Sequence, residues 1–137
     1  MKRCWIEYRT ERETGPMTVW VHRSVDGKPW YESPRYEPPL PPVVAGRGYA
    51  VFFVELDGFT FRFASLHELD VCADTLEQKV LPTAIRLSRE HGTGSGPNSH
   101  WLARLPAKVK PWKYRQKAVR YLREARERFL REIREGS

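Results

Sequence analysis

The chain has 137 residues and carries 24 lysines and arginines against 17 aspartates and glutamates, a formal net charge of +7. Its length suits one domain with a single hydrophobic core, and its 12% of aromatic residues argue against a chain that is disordered by composition. We expect one domain over residues 1–137, with a proline-rich connection at 24–48 and a basic helical region at 98–135.

The cysteines and the apolar segments bear on the compartment. Cys4 and Cys72 lie far apart, each inside an apolar pattern, which is typical of buried thiols in a reducing compartment rather than of a disulfide framework. No apolar stretch approaches the length of a membrane span, and no apolar run follows Lys2 and Arg3 as it would in a secretion signal. These features predict a cytoplasmic protein.

The N-terminal part of the chain predicts a β-hairpin. Apolar and polar residues alternate with period two in Arg3–Arg9 and again in Met17–His22, which favours two strands. The polar segment Glu11–Pro16 between them is typical of a turn. The six prolines of residues 24–48 then predict an irregular connection.

A second hairpin follows the proline-rich connection. Tyr49–Leu56 is apolar on both faces except at Glu55, and the dipeptide Asp57-Gly58 separates it from Phe59–Phe63. A two-residue Asp-Gly loop between two such segments is the strongest local indication of a hairpin. We expect the phenylalanines of its second strand to face the core, and its first strand to be central in the sheet.

A helix is predicted over residues 65–80, because Ser65 and Glu68 have the spacing of a capping box. Its buried side is expected to hold Leu69, Cys72 or Ala73, Leu76 and Val80. Another side of the same helix is acidic through Asp70, Asp74 and Glu77. Pro82 predicts the start of a further helix that runs to His91.

The last predicted helix begins at Pro111 and runs to residue 134. Apolar residues recur on one side of it, namely Ala118, Leu122, Ala125, Phe129 and Ile133. The other side carries Lys113, Lys117, Arg120, Glu124, Arg128, Arg131 and Arg134. The elements together predict an α+β fold: an antiparallel sheet of about four strands made of two hairpins, about three helices packed mainly on one face, and a long amphipathic basic helix at the C-terminus.

Between Glu90 and Glu124 the sequence has eight lysines and arginines and no acidic residue. Such a cluster favours a polyanion as partner, because each phosphate that a cation neutralises releases condensed counterions. Trp112 and Tyr114 lie among these cations, and exposed aromatic rings stack on unpaired bases. The predicted nucleic-acid-binding residues are Arg104, Lys108, Lys110, Lys113, Arg115, Lys117, Arg120 and Arg123, with Trp112 and Tyr114.

Other interpretations of this acid-free segment stay open at this point. Its cations can pair with the acidic side of the 65–80 helix or remain solvated, and Trp112 and Tyr114 can belong to the core. From Glu124 onward the charges are predicted to neutralise one another at a spacing of four residues, in the pairs Glu124–Arg128, Glu127–Arg131 and Arg128–Glu132. The informative part of the segment is therefore residues 108–123.

The sequence predicts a small cytoplasmic protein that binds the phosphate backbone of DNA or RNA. The alternative is a non-enzymatic protein-interaction module, an inhibitor or adaptor that docks on an acidic protein surface. We expect no metal, cofactor or enzymatic activity, since no metal-ligand spacing or catalytic signature is present. A small ribonuclease is a further alternative, with His100, Tyr114, Arg115 and Lys117 as its candidate residues.

Overall fold

A computed structural model describes residues 2–24, 35–81, 101–102 and 105–135, and these form an α+β fold. The strands are β1 (Lys2–Arg9), β2 (Arg23–Ser24), β3 (Tyr36–Glu37), β4 (Tyr49–Leu56) and β5 (Phe59–Phe63). The helices are α1 (Thr18–Val21), α2 (Leu66–Glu77) and α3 (Trp112–Glu135), with a single 3-10 turn at Ala107–Val109. Strands β1, β4 and β5 form an antiparallel sheet in the order β1-β4-β5, while β2 and β3 form a separate two-stranded sheet.

The hairpin of β4 and β5 is confirmed. Asp57 and Gly58 have φ angles of 50° and 85°, as a type I′ turn requires, and Leu56 pairs with Phe59 directly beside it. Phe61 and Phe63 are buried, and β4 is central in the three-stranded sheet. The apolar faces of β4 and the Asp57-Gly58 turn therefore favour the same register of β4 against β5.

The predicted N-terminal hairpin is wrong. β1 pairs antiparallel with β4, from Lys2 opposite Leu56 to Arg9 opposite Tyr49, and the predicted strand Met17–His22 contains the short helix α1 instead. Met17, Trp20 and Val21 are buried while Val19 is 41% exposed. Trp20 and Val21 lie three and four residues after Met17, which is the spacing of one side of a helix. The burial of Trp20 thus prevailed over the period of two, which had predicted a strand. The main sheet consequently has three strands rather than four among the described residues.

Helix α2 begins as predicted and ends earlier. Ser65 is the N-cap residue, and its Oγ accepts a hydrogen bond from the backbone N–H of Glu68 at 3.2 Å. The predicted apolar residues Leu69, Cys72, Ala73 and Leu76 are buried, but Val80 lies beyond the end of the helix and is 83% exposed. The further helix predicted from Pro82 to His91 lies outside the described residues.

The core lies between the sheet and the helices α2 and α3. Ala118, Leu122, Ala125 and Phe129 of α3 are fully buried in it, and Ile133 packs against its edge. The ring of Phe129 lies 5.1 Å from that of Phe52 in β4, measured between centroids. The apolar side of α3 therefore packs on the sheet, and the opposite, charged side faces away from the sheet.

A buried polar cluster joins α1, the N-terminus of α2 and the chain at Pro38. His22 and Glu68 are both fully buried, with 3.5 Å between His22 Nε2 and Glu68 Oε2. The Nδ1–H of His22 donates to the carbonyl oxygen of Pro38 at 2.7 Å, and Nε2 lies 2.7 Å from Ser65 Oγ. Thr18 Oγ1 donates to the same carboxylate oxygen, Glu68 Oε2, at 3.1 Å. The cluster supplies hydrogen bonds to groups that would otherwise be unsatisfied in the core.

This cluster gives folding stability a dependence on pH. Burial alone lowers the pKa of His22, but the hydrogen bond and charge of Glu68 and the carbonyl of Pro38 outweigh it, so the net pKa lies above 6.5. The folded state therefore binds this proton more tightly than the unfolded state does. The resulting stabilisation is complete below pH 6.5 and is lost as the pH rises through the folded pKa of His22.

We predict that the free energy of unfolding, measured in urea, falls as the pH is raised above 6.5. A His22→Gln variant should be less stable at low pH and should lack this part of the dependence, since glutamine does not titrate. Equal pH slopes for the two proteins would show that His22 is not the source.

Candidate nucleic-acid interface

The N-terminal half of α3 presents a row of cations away from the sheet. Lys113, Lys117 and Arg120 are exposed and lie three or four residues apart, hence on one side of the helix. Lys108 and Lys110 are exposed in the 3-10 turn and the residues that lead into the helix. We call the set Lys108, Lys110, Lys113, Lys117 and Arg120 the basic surface.

Arg115 belongs to the interior and not to the basic surface. Its side chain is 5% exposed, and its guanidinium donates to the carbonyl oxygens of Leu76, Gln78, Lys79 and Lys110. Three of these carbonyls lie at the C-terminal end of α2, where backbone oxygens have no partner within the helix. α2 has no basic residue in its own last turn, so Arg115 supplies the cation that the negative end of the helix favours. Burial lowers the pKa of Arg115, but the guanidinium stays charged at neutral pH.

Arg123 pairs with the acidic side of α2. It contacts the carboxylate of Glu77 and lies 3.3 Å from that of Asp74. The hydrogen bond to Arg123 lowers the pKa of Glu77, and the same contact raises the pKa of Arg123. The next arginine along this side, Arg126, binds Asp70 at 2.7 Å. Two arginines of α3 thus pair with all three carboxylates of the acidic side predicted on α2, and the sequence did not single out one of them, Arg126.

Lys117 has a carboxylate partner that the sequence pattern did not reveal. Its Nζ binds the carboxylate of Asp57 in the β4–β5 turn, which lowers the pKa of Asp57. The two residues are 60 positions apart, so only the packing of α3 beside the hairpin brings them together. The Lys117 side chain nevertheless remains 58% exposed, and exposed pairs of this kind contribute little to stability.

The remaining cations of the basic surface have no such partner. Within residues 2–24, 35–81, 101–102 and 105–135, no carboxylate lies within 4.0 Å of Lys108, Lys110, Lys113 or Arg120. Arg104 lies outside the described residues. Pairing with α2 therefore accounts for Arg123 but leaves these four cations facing solvent.

The two aromatic residues of the predicted site are partly buried. Tyr114 donates its hydroxyl hydrogen to the carbonyl oxygen of Leu56 at 2.8 Å, and burial together with Asp57 raises the pKa of Tyr114 to about 12. The guanidinium of Arg115 lies 5.0 Å from the ring centre of Trp112. Both side chains thus have structural contacts, and Trp112 keeps part of its ring exposed beside the basic surface.

The C-terminal half of α3 does not neutralise itself in the predicted way. Glu124 pairs with Lys2 of β1 at 3.6 Å, and Glu127 pairs with its neighbour Arg126 at 3.7 Å. The three predicted pairs at a spacing of four residues are not among the ion pairs of the described residues. Arg128 and Arg131 are exposed and extend the row of cations along the same helix.

The positive charge in the first turn of α3 is unfavourable for the stability of this helix. This turn has no acidic residue, whereas Lys113 lies in it and Lys110 lies two residues before the helix begins. The N-terminus of a helix is the positive end of its dipole, and a cation there is destabilising by about 0.3–1 kcal/mol at low ionic strength. Helix stability therefore does not explain why lysines occupy these positions.

Comparisons of the chain with protein-family models, with curated proteins and with solved structures found no significant match. Among the residues that the structure describes, no group of three or more histidine, cysteine, aspartate or glutamate side chains is placed to hold a metal ion. Within the same residues, no helix combines the length and the apolar character that a membrane crossing requires.

We predict that Arg115→Met lowers the free energy of unfolding by about 3 kcal/mol, since it leaves several buried carbonyl groups without a donor, each at about 1–3 kcal/mol. Chemical denaturation followed by circular dichroism measures the loss. Arg120→Met is the matched control, because Arg120 is exposed and pairs with no described carboxylate; its effect should stay within about 0.5 kcal/mol. Similar losses in both variants would contradict the structural role of Arg115.

Proposed function

We propose that this protein binds nucleic acid, and that the basic surface of α3 contacts the phosphate backbone. The observation that carries the proposal is the group Lys108, Lys110, Lys113 and Arg120, which is exposed and lacks a carboxylate partner among the described residues. The binding residues are thus fewer than the sequence predicts, since Arg115 and Arg123 have structural roles.

The distribution of charge supports a polyanionic partner over a merely solvated surface. Cations that only keep a protein soluble are usually interspersed with anions, whereas residues 108–123 contain none. The lysines also oppose the dipole of α3, a disadvantage that a bound phosphate would reverse. From Lys113 to Arg120 the row spans about 10 Å at 1.5 Å per residue, and Arg128 and Arg131 continue it.

The residues of the basic surface favour contacts to phosphate over contacts to bases. Four of the five are lysines, which act as point charges, and phosphate contacts position a protein without reading sequence. We therefore expect weak sequence preference. Partial burial of Tyr114 and Trp112 leaves little aromatic surface for base stacking, which favours a duplex over a single strand.

The first test is a titration of binding against salt, followed by fluorescence anisotropy with a generic DNA duplex, an RNA duplex and single strands. We predict a logarithmic salt slope of about −4 for duplex DNA, since four to five neutralised phosphates contribute about 0.9 each. Absence of binding at low salt, or affinity that does not respond to salt, would refute the proposal.

The second test separates binding from folding. Lys113→Glu with Arg120→Glu should weaken binding at least about tenfold and reduce the steepness of the salt slope by about 2. The same Lys113→Glu change should raise thermal stability slightly, because it removes a cation from the positive end of α3 and adds an anion. If the double variant loses binding because it unfolds, the result contradicts this prediction.

Arg62→Glu serves as the matched control for charge. Arg62 lies on β5, on the face of the sheet away from α3, and pairs with Glu13 at 2.5 Å. The Arg62→Glu substitution changes the net charge by the same amount as Lys113→Glu does, but it lies on the face of the sheet away from α3. We expect it to leave the affinity nearly unchanged; equal loss in both variants would mean that only net charge matters.

A further inference from the structure

The outer edge of β1 carries backbone hydrogen-bonding groups that pair with none of the residues the structure describes. The sheet order is β1-β4-β5, so β1 is an edge strand, and it pairs with β4 without interruption over eight residues. None of the other described residues, in 10–24, 35–81, 101–102 or 105–135, pairs with the opposite edge of β1. Edge strands are commonly protected by proline, by a bulge, by short length or by charged side chains, and of these β1 has only the charged side chains Lys2, Arg3, Glu7 and Arg9.

The hairpin turn determines which residues of β1 point their backbone N–H and C=O groups away from β4. In a two-residue hairpin the residues that flank the turn, Leu56 and Phe59, exchange both hydrogen bonds. Alternate residues of β4 therefore bond to β5, and those between them, including Phe53 and Glu55, bond to β1. It follows that the N–H and C=O groups of Lys2, Cys4, Ile6 and Tyr8 point away from the sheet.

The sequence of β1 is complementary to itself in one antiparallel register. With Trp5 opposite Trp5 of a second copy, Arg3 lies opposite Glu7 of that copy, and Glu7 lies opposite its Arg3. Cys4 then faces Ile6, and both belong to the set whose backbone groups point outward. A shift of two residues in one direction places Arg3 opposite Arg9, and a shift in the other places it opposite Trp5, so of these three registers only the central one pairs Arg3 with an acidic residue.

We propose that two copies of this chain pair through their β1 strands about a twofold axis at Trp5, which produces one continuous six-stranded antiparallel sheet. The four outward residues of each strand would exchange about eight backbone hydrogen bonds. Because the axis makes both edges identical, the interface closes and leaves no further β1 edge exposed.

The side chains on the face away from the helices already have a suitable arrangement for this dimer. Trp5 stacks on Phe53 with 5.1 Å between ring centres and 6° between planes. Pairing about the axis would bring the two Trp5 side chains opposite each other, together with the Arg3 guanidinium that lies 4.6 Å from the Trp5 ring centre, and aromatic pairs across antiparallel strands are stabilising. Arg3 pairs with Glu55 at 2.8 Å, and Glu7 pairs with Arg9 at 2.8 Å and accepts from Trp5 Nε1 at 2.8 Å. Arg3 of the second copy would add to these contacts of Glu7, so that a row of alternating charge, Glu55, Arg3 and Glu7 of the second copy, crosses the interface.

The first experiment is a charge exchange followed by sedimentation equilibrium. Arg3→Glu and Glu7→Arg each place like charges opposite each other twice in the dimer, and each should weaken dimerisation about tenfold or more. The double variant Arg3→Glu/Glu7→Arg restores opposite charges across the axis, although it loses the pairs with Glu55 and Arg9, and it should dimerise more tightly than either single variant. Arg62→Glu is the control, since it reverses a paired arginine on the same face but on β5, and the dimer should persist.

Hydrogen exchange provides a second measurement that does not depend on any variant. The amides of Cys4, Ile6 and Tyr8 should become protected as the protein concentration rises, whereas those of Trp5 and Glu7, which bond to β4, should be protected throughout. A chain that stays monomeric at high concentration would overturn the proposal. So would a dimer that the single charge reversals do not weaken, or one in which these three amides exchange freely.

Discussion

The contact of the Arg115 guanidinium with the C-terminal end of α2 is the constraint on which the placement of α3 depends. The last carbonyl groups of any helix lack partners within the helix, and α2 has no cation of its own in its last turn. Arg115 satisfies three carbonyls there and also binds the carbonyl of Lys110, so it joins α2, the start of α3 and the chain before it. Once Arg115 points inward, the 3.6-residue repeat turns Lys113, Lys117 and Arg120 outward.

The cations of α3 consequently serve two different purposes. Those on the side of α2 neutralise its carboxylates, as Arg123 and Arg126 do, and hold the two helices together. Those on the opposite side have little to neutralise within the described part of the molecule, and some of them oppose the helix dipole. An arrangement that adds little to stability is the physical basis for our proposal that the basic surface binds an external polyanion.

The sheet contributes a second surface, the outer edge of β1, beside which α3 lies through the pair Lys2–Glu124. Strand β4 is paired on both edges, whereas one edge of β1 pairs with none of the described residues, and the charges of β1 match their own reversed order. A dimer through β1 would place two basic surfaces in one particle, and linked binding sites gain affinity when both reach the same ligand. Nucleic-acid binding by one chain does not require this pairing, so the two proposals stand or fall separately.

Local chemistry in the sequence determined the β4–β5 hairpin, the cap at Ser65 and the apolar side of α3, because a turn dipeptide, a capping residue and a helical repeat act over few residues. Tertiary structure decided the helix at Thr18–Val21. Alternation over a segment as short as Met17–His22 is weak evidence for a strand, and the burial of Trp20 outweighed it. Tertiary structure alone also separated the cations. Arg115 and Lys113 have equal charge in the sequence, and only the packing of α3 on α2 buried one and exposed the other. The sequence by itself thus located the positive charge, whereas contacts between residues 36 to 60 positions apart decided which part of it stays available.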